Sequence, residues 1–496
     1  MADYRYERLS ALDSSFLVFE TPNTPMHVAS TAIFDAAPIT KADGGIDIDR
    51  IMAHVTSRLH RIPRYRERLA YIPVEGHPVW IDDERFNLNY HLRHTSLPKP
   101  GDERQLKRLS ARIMSQQLDQ GKPLWEMWIV EGLEGGRFAM VSKTHHCMID
   151  GISGVDLMTV LLSPTPDATI VDPMRWIPRP APSPTELLRD EMVQRLTTPR
   201  AFLSELARHP RTTLSKVRDG VSALAETVSN GMQMASDTPL NQPIGPHRRF
   251  DWLTMELAAI QEVRHRLGGT VNDIVLTTVA GAVRRFLERR AVNLSGVNFR
   301  VFVPVSLRAA DEHGTLGNRV AGWIVDLPIA ERDAGKRLAK VREHTARLKE
   351  SRQTIGAELL TELADWGGST LLTLGMRLAS QARPFNLVVT NVPGPPHPLY
   401  LLGARMVDAY PMVPLFVNLG LGIALFSNAG KIFWGFNADW DVVPDLHDFV
   451  GAIGTSFAEL QAAQPEVKGS KRSRPAKSSG RARATHAGGV SAGSPV

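Results

Sequence analysis

The segment from His145 to Gly151, which reads His-His-Cys-Met-Ile-Asp-Gly, constrains the fold of this chain more than any other. It follows an apolar run, Phe138–Val141, and precedes an apolar stretch with helical character, Ile152–Leu162. A strand that ends at a histidine and turns into a helix through Asp-Gly exposes one imidazole in a cleft. Because successive side chains on a strand point to opposite faces, the two histidines cannot share one role.

The chemistry of this segment suits acyl transfer. A neutral imidazole, whose ordinary pKa is about 6.5, takes a proton from an alcohol at neutral pH and returns it to a leaving group. Asp150 lies four residues after His146 and is expected to hold the loop, either by accepting backbone N–H groups or by pairing with an arginine. Gly151 supplies the backbone freedom that such a turn needs.

The chain resembles a known family at this motif and at several others. HHxxxDG is the hallmark of the CoA-dependent acyltransferases with the chloramphenicol-acetyltransferase-like fold, a superfamily that includes non-ribosomal peptide condensation domains. Within it, the sequence is similar to the bacterial wax ester synthase/diacylglycerol acyltransferases over residues 8–460. The other matching segments, in chain order, are Leu12–Phe16, Pro123–Glu126, Asn272–Leu276, Val305–Arg308 with Gly317-Asn318, and Asn391–Pro395.

The resemblance implies a direct reaction without an acyl-enzyme. His146, the second histidine of the motif, is implied to be the general base, with His145, Asp150 and Gly151 in supporting roles. His146 deprotonates the hydroxyl of an alcohol acceptor, the alkoxide attacks the thioester carbonyl of acyl-CoA, and the CoA thiolate leaves. The oxyanion needs a donor about 2.7–3.1 Å away, and Asn272 is the predicted one. Activity is expected to fall on the acid side, and a rate unchanged down to about pH 5 would argue against imidazole as the base.

Residues at the other motifs are assigned to the substrate channel. For Trp125, core packing is the alternative. Arg308 is predicted to pair with Asp150 and hold the catalytic loop, as equivalent pairs do in the superfamily; an arginine on the surface is the alternative. The Asn391–Pro395 segment is turn chemistry at the end of a strand and is expected to shape the channel. The assigned channel residues are Pro123, Leu124, Trp125, Asp273 and Arg308.

The histidine pair and Cys147 raise two further interpretations. Adjacent residues on a strand diverge, and no second ligand pair stands nearby at useful spacing, so no metal is expected. Cys147 beside a histidine suggests a thiol nucleophile, but a lone cysteine is more often a small buried hydrophobe. It is the only cysteine, which forbids an intrachain disulfide and suits a reducing cytoplasm. Acyl-CoA enters as a substrate, so no cofactor is expected.

The net charge of +6 belongs to the C-terminal end of the chain. Residues 467–496 hold seven Lys or Arg and no acid, which leaves 51 basic and 52 acidic residues elsewhere. A nucleic-acid partner is therefore not expected. The composition of the end predicts a disordered basic tail at 466–496. This tail either contacts anionic lipid head groups or only keeps the chain soluble.

The sequence predicts neither a signal peptide nor a membrane span. The first residues lack a charged start followed by an apolar segment. The longest apolar stretch, 411–426, is interrupted by Pro, Asn and Gly and falls short of the roughly 18 clean residues that a span requires. We therefore expect a cytoplasmic enzyme that contacts a membrane or a lipid droplet peripherally.

The resemblance implies an α/β fold of two chloramphenicol-acetyltransferase-like sandwich domains joined by a helical linker, with the active-site channel between them. A length of 496 residues allows two or three domains. Composition places an N-terminal domain at 1–163, a Pro-rich and helical linker at 164–246, and a C-terminal domain at 247–465. Periodicity predicts strands at 27–34, 138–144, 249–257, 299–305, 320–327, 385–390, 419–426 and 431–436, and helices at 51–61, 103–118, 273–291, 331–351, 356–381 and 445–463.

Three functions fit these features. The first is an acyl-CoA:alcohol O-acyltransferase that makes triacylglycerol from diacylglycerol, with wax esters from long-chain alcohols as a second activity. The second is a condensation-type or polyketide-type acyltransferase fed by a carrier protein. The third is a non-catalytic lipid-surface protein that retains the fold. The motifs at Asn272 and Asn391–Pro395 and the stand-alone architecture favour the first, and the intact HHxxxDG argues against the third.

Overall fold

The computed structural model describes residues 6–148, 160–193, 234–306, 320–350 and 384–465. The first half contains β1 (Glu7–Arg8), α1 (Ala11–Phe19), β2 (His27–Asp35), α2 (Ile48–Arg58), β3 (Glu67–Tyr71), β4 (Pro78–Asp82), α3 (Leu88–His91), β5 (Leu92–Ser96), α4 (Glu103–Ser115), β6 (Trp125–Leu133) and β7 (Arg137–His145). The second half contains β8 (Arg248–Glu256), α5 (Leu257–Leu267), α6 (Val271–Arg289), β9 (Phe299–Ser306), β10 (Val320–Leu327), α7 (Ala334–Glu350), β11 (Leu387–Pro393), β12 (Tyr400–Leu401), β13 (Ala404–Met412), β14 (Leu421–Asn428), β15 (Lys431–Asp439) and α8 (Leu446–Ala462).

The N-terminal sheet has the strand order β12-β13-β2-β7-β6-β5. Its central strand β7 is antiparallel to both neighbours, with His145 opposite His27 of β2 and Thr144 opposite Trp125 of β6. Phe138 and Val141 of β7 are fully buried, as expected for an apolar strand that is covered on both faces. The chain therefore leaves the centre of this sheet at the histidine pair.

The C-terminal sheet has the strand order β10-β9-β11-β14-β15-β8. Within it, β11 runs parallel to β9 and β14, while β15 is antiparallel to β14 and β8. The helix α6 packs against α7 and α8, and its apolar residues from Ile274 to Leu287 belong to the core cluster of this half. Two α/β units, each built mainly from one half of the chain, thus form the predicted architecture.

The two sheets do not follow the predicted domain boundaries. Although β12 and β13 lie in the second half of the chain, β13 pairs antiparallel with β2 of the N-terminal sheet. Tyr410 of β13 stacks on Trp252 of β8, with ring centroids 4.5 Å apart and planes 7° apart. The predicted C-terminal domain at 247–465 therefore does not coincide with one sheet. The sequence predicted no strand at 404–412, because the residues of β13 do not alternate regularly between apolar and polar.

The junction between the sheets depends on one glycine. A Cβ at Gly435 of β15 would overlap the carbonyl oxygen of Pro411 in β13. Two residues later, the side-chain amide of Asn437 donates to the Val413 carbonyl oxygen at 2.8 Å. A residue without a side chain at position 435 is thus required for the two strands to approach each other this closely.

The predicted linker lies against the first half of the chain. Its Pro-rich part, 164–183, has no helix or strand, and residues 184–193 are helical. Arg179 holds this segment to β4, because its guanidinium lies 2.7 Å from the Asp82 carboxylate. Several predicted elements lie outside the described residues: most of the helix at 152–162, the helical region at 194–233, the helix at 356–381 and the tail at 466–496.

Candidate active site

The two histidines lie where β7 ends and a short 3-10 turn, His146–Met148, begins. His145 is fully buried, whereas His146 is half-buried. The backbone N–H of His146 donates to the carbonyl oxygen of Met26 at 2.8 Å, which ties the turn to the start of β2. Of the pair, His146 is the more exposed residue, and the expectation that the two histidines have different roles stays a prediction.

The helix α1 supports the ring of His146. Phe16 stacks on it with centroids 3.9 Å apart and planes 18° apart. The helix begins at Ser10, whose hydroxyl oxygen accepts the N–H of Asp13 at 3.1 Å in a normal N-cap arrangement. The matching segment Leu12–Phe16 is therefore the helix that carries the stacking ring. In the sequence, this segment stands out only by its resemblance to the family, and the stacking contact was not predicted.

The surroundings of His146 keep its imidazole neutral. Burial lowers the pKa of His146 from 6.5 to about 4; a hydrogen bond with its own backbone opposes this, and the nearby His145 adds to the lowering. An imidazole with such a pKa is unprotonated at neutral pH, which is the form that a general base requires. The residue that the motif marks for catalysis is thus in the right protonation state.

Cys147 contacts His145 rather than any exposed surface. Its backbone N–H donates to Nδ1 of His145 at 3.2 Å, and its Sγ lies 2.9 Å from the same nitrogen. Cys147 is fully buried, and this burial raises the pKa of its thiol well above the usual value. A thiol that stays protonated and covered is a poor nucleophile, so the geometry favours the packing interpretation of Cys147.

Asn272 and Asn391, from two of the matching segments, form a pair. Asn272 is exposed in the first turn of α6, and the Nδ2 of Asn391 in β11 donates to its Oδ1 at 2.7 Å. Because its oxygen is engaged, Asn272 has Nδ2 left for donation, at the positive end of a helix dipole. An amide N–H is a suitable oxyanion donor, and this role of Asn272 stays a prediction. Asn391 was not predicted to take part, although it lies in a segment that the sequence singled out.

Asp273 lies in the cap of α6. It is buried, and its Oδ2 accepts the backbone N–H of Thr270 at 2.7 Å in a capping box. Its Oδ1 accepts the hydroxyl of Thr345 in α7 at 2.7 Å. Both oxygens are therefore used to fix the start of α6 next to Asn272, and the predicted part of Asp273 in the channel stays a prediction.

The segment Pro123–Trp125 lies in the N-terminal core. Leu124 and Trp125 are buried, and the indole N–H of Trp125 donates to the Tyr65 carbonyl oxygen at 2.9 Å. The Trp125 ring lies between the rings of Tyr65 and His91, with both centroid distances at 4.7 Å. These contacts are those of the core-packing alternative, and a role in shaping the channel stays a prediction.

Three predicted site residues, Asp150, Gly151 and Arg308, lie outside the described residues. In the parts of the chain that the structure describes, no three His, Cys, Asp or Glu side chains are grouped to hold a metal ion. Over the same parts, no helix has both the length and the apolar character needed to cross a membrane.

Solved structures with similar folds define the class to which this architecture belongs. A wax ester synthase/diacylglycerol acyltransferase from Marinobacter aquaeolei VT8 superimposes with a TM-score of 0.64 and 27% identity, over 92% of this chain and 99% of that one. The first condensation domain of the calcium-dependent antibiotic synthetase gives a TM-score of 0.58 at 15% identity, over 93% of this chain and 98% of that one. The second similarity concerns the fold alone. The class is that of the two-domain α/β acyltransferases.

Sequence comparison identifies the family within that class. The catalytic-domain model of the wax ester synthase/diacylglycerol acyltransferases matches residues 9–275, and the C-terminal-domain model of the same family matches residues 316–461. Two Mycobacterium tuberculosis proteins named as diacylglycerol O-acyltransferases are similar: one is 32% identical over 92% of this chain and 90% of its own length, and the other, tgs1, is 29% identical over 94% and 98%. The chain belongs to the wax ester synthase/diacylglycerol acyltransferase family, and it is an acyltransferase.

Proposed function

We propose that the protein transfers the acyl group of long-chain acyl-CoA to diacylglycerol and forms triacylglycerol, with wax ester formation from long-chain alcohols as a second activity. The observation that carries the proposal is His146: a half-buried imidazole at the end of β7, stacked on Phe16, with its pKa lowered by burial to about 4. Membership of the family and the names of the mycobacterial relatives support the choice of substrates.

In the proposed reaction, His146 takes the proton of the acceptor hydroxyl as the oxygen attacks the thioester carbonyl carbon. The new C–O bond forms, and the oxyanion that develops accepts a hydrogen bond from Nδ2 of Asn272. The C–S bond then breaks, and the imidazolium returns its proton to the CoA thiolate. His145, Asp150 and Gly151 support the loop around the base, and Arg308 pairs with Asp150. Pro123, Leu124, Trp125 and Asp273 remain our candidates for shaping the channel.

We also propose that the protein contacts a membrane or lipid-droplet surface peripherally. Diacylglycerol and long-chain alcohols partition into such surfaces, so the enzyme has to reach them there. Several large apolar side chains of the Pro-rich segment are exposed, among them Met174 at 66% and Ile177 at 70%, and such groups favour an interfacial environment. The basic tail adds electrostatic attraction to anionic head groups. Sedimentation with vesicles of phosphatidylcholine and phosphatidylglycerol tests this contact.

The test of the activity is CoA release from palmitoyl-CoA by the purified protein, with diacylglycerol or hexadecanol as acceptor. Release should depend on the acceptor and should disappear in His146→Ala, because removal of the base eliminates proton transfer. His60→Ala is a matched control, since His60 is exposed and lies in a different turn of the chain. Folded wild-type protein that releases no CoA with either acceptor would contradict the proposal. Release that requires an acyl-carrier protein in place of acyl-CoA would instead support the carrier-fed function.

A further inference from the structure

A buried carboxylate lies behind the histidine pair. Glu20 caps the C-terminal end of α1, and its backbone N–H donates to the Phe16 carbonyl oxygen at 3.1 Å. Its side chain is 4% exposed, with Oε1 3.4 Å from Nε2 of His27 and Oε2 3.6 Å from Nε2 of His145. Residues four apart lie on the same side of a helix. The same side of α1 therefore places Phe16 against His146 and Glu20 against His145.

Glu20 is ionised in this environment. Burial raises its pKa, but the nearby imidazoles of His145 and His27 lower it more, and the resulting pKa lies well below the usual range. Oε1 also accepts the backbone N–H of Met26 at 3.3 Å, and Oε2 accepts the side-chain amide of Gln120 at 2.9 Å. An ionised carboxylate can only accept hydrogen bonds, so each of the four neighbouring groups has to present a donor.

This requirement determines which nitrogen of His145 carries the proton. A neutral imidazole has one N–H. Nδ1 of His145 accepts the backbone N–H of Cys147 at 3.2 Å, so the proton lies on Nε2, which faces Glu20. The opposite tautomer would set two N–H groups against each other at Nδ1 and a lone pair against the carboxylate at Nε2. Glu20 and the Cys147 peptide therefore select the same tautomer from opposite sides of the ring.

Both sets of contacts end at the turn that carries His146. On one side, Glu20 orients His145, which in turn accepts the N–H of Cys147 inside the turn. On the other side, Glu20 accepts the N–H of Met26, whose carbonyl oxygen accepts the N–H of His146 at 2.8 Å. The backbone on either side of the base is thus fixed through one carboxylate.

We propose that Glu20 is a positioning residue of the acyltransferase reaction: its carboxylate holds His145 as the Nε2–H tautomer and thereby fixes the turn that presents His146. The inference rests on the proposed function of His146 as general base. Glu20 acts through other groups and has no direct contact with the reacting atoms. Among the described residues, the charged and titratable groups around it are His27, His145, Lys143, Tyr71 and Cys147.

Glu20→Gln is the informative substitution because it keeps the size of the side chain and replaces one acceptor oxygen by a donor. If the new amide group faces His145, Nε2 of His145 would have to accept its hydrogen bond. The imidazole proton would then lie on Nδ1, where it would oppose the backbone N–H of Cys147. With the amide towards Met26, the N–H of that residue loses its acceptor. Either orientation breaks one of the two sets of contacts. We expect kcat for CoA release to fall at least about tenfold, with the KM for palmitoyl-CoA changed less than about twofold.

A spectroscopic measurement separates positioning from general destabilisation. In protein labelled with ¹⁵N at histidine, the wild type should show His145 as the Nε2–H tautomer, with the signal assigned by its loss in His145→Gln. In Glu20→Gln this signal should shift or broaden. Asp439→Asn is the matched control, since Asp439 is 1% exposed and accepts the backbone N–H groups of Gly245, Asp441 and Val442 beside the C-terminal sheet. It should lower the melting temperature and leave both kcat and the His145 signal unchanged.

The possible outcomes are distinct. Wild-type kcat in Glu20→Gln, or an Nδ1–H tautomer of His145 in the wild type, would overturn the inference. A wild type without acyltransferase activity, in which Glu20→Gln nevertheless displaces the Nε2–H signal, would overturn the proposed function and leave the effect of Glu20 on His145 supported.

Discussion

Replacement of Phe16 by alanine removes the ring that covers one face of His146, at a centroid distance of 3.9 Å. Burial lowers the pKa of His146 to about 4. Without the ring, water reaches that face and hydrates the protonated imidazole, so the pKa should rise towards its ordinary value of about 6.5. A general base acts only when it is neutral. The variant should therefore lose activity as the pH falls through this raised pKa.

The expected size follows from the protonated fractions. With a pKa of about 4, about a tenth of the wild-type imidazole is protonated at pH 5. If the substitution relieves half of the lowering, the pKa becomes about 5.2, and roughly 60% is protonated at pH 5. The variant should thus lose more than half of its rate between about pH 7 and pH 5, where the wild type loses about a tenth. Loss of the stacking contact, about 1 kcal/mol, should also lower the rate at pH 7 up to about fivefold.

The assay is kcat/KM for CoA release from palmitoyl-CoA, with diacylglycerol as acceptor, between pH 5 and pH 8. Phe19→Ala is the control: it removes an aromatic ring from the same helix, but one that contacts Phe416, with centroids 6.4 Å apart. Profiles of the same shape for Phe16→Ala and wild type down to pH 5 would refute the reasoning. From the sequence, a rate unchanged down to about pH 5 was expected to argue against imidazole as the base. With the pKa of His146 lowered to about 4, a wild-type rate that holds down to about pH 5 is compatible with His146 as the base.

Three further predictions concern the oxyanion donor, acid stability and the sheet junction. Asn391→Ala removes the donor to Oδ1 of Asn272 and should lower kcat about tenfold with little change in KM. Asn272→Ala should lower kcat about 100-fold. Unchanged rates in both variants would contradict the assignment of Asn272 as the oxyanion donor. Burial lowers the pKa values of His27, His77 and His146 to about 4. As the pH falls, the unfolded chain therefore takes up protons at these histidines before the folded chain does, and the melting temperature should fall steadily from about pH 6.5 towards about pH 4. Gly435→Ala forces a methyl group against the Pro411 carbonyl oxygen and should destabilise by about 1–3 kcal/mol in chemical unfolding, whereas Gly454→Ala, in an open position of α8, should be neutral or stabilising.

Local patterns predicted the secondary structure well where one physical cause dominates. The strand expected at 320–327 has those bounds in the structure, because Arg319 precedes the mostly apolar segment and Pro328, which cannot donate a ladder hydrogen bond, follows it. The helix expected from Asp273 begins instead at Val271. Thr270 and Asn272 are both good capping residues, and the sequence alone could not choose between them. The choice follows from the turn at Gly268-Gly269, whose φ angles of 79° and 97° end α5 just before Thr270.

The candidate site was predictable only where its residues are close in sequence. The histidine motif identifies the end of a strand, and the structure places it there. The contacts of Phe16 and Glu20 with this motif depend on the pairing of β2 with β7, which brings His27 opposite His145. Such pairing is a tertiary event that local propensity does not encode. The sequence offers only an acid directly after the apolar run Phe16–Phe19 and a histidine seven residues later, at the start of β2. The two become interpretable as partners only with the register.

The position of β13 bears on the reaction as well as on the fold. His146 follows the central strand of the N-terminal sheet, while Asn272 begins a helix that packs on the C-terminal core. If the two halves were separate units, the base and the proposed oxyanion donor would depend on a flexible connection for their relative placement. Because β13 comes from the second half and pairs with β2, and because Gly435 lets β15 approach it, the placement is fixed by strand pairing and packing. The proposed catalysis by residues from both halves would require such a rigid junction, since small displacements of catalytic groups cost large factors in rate.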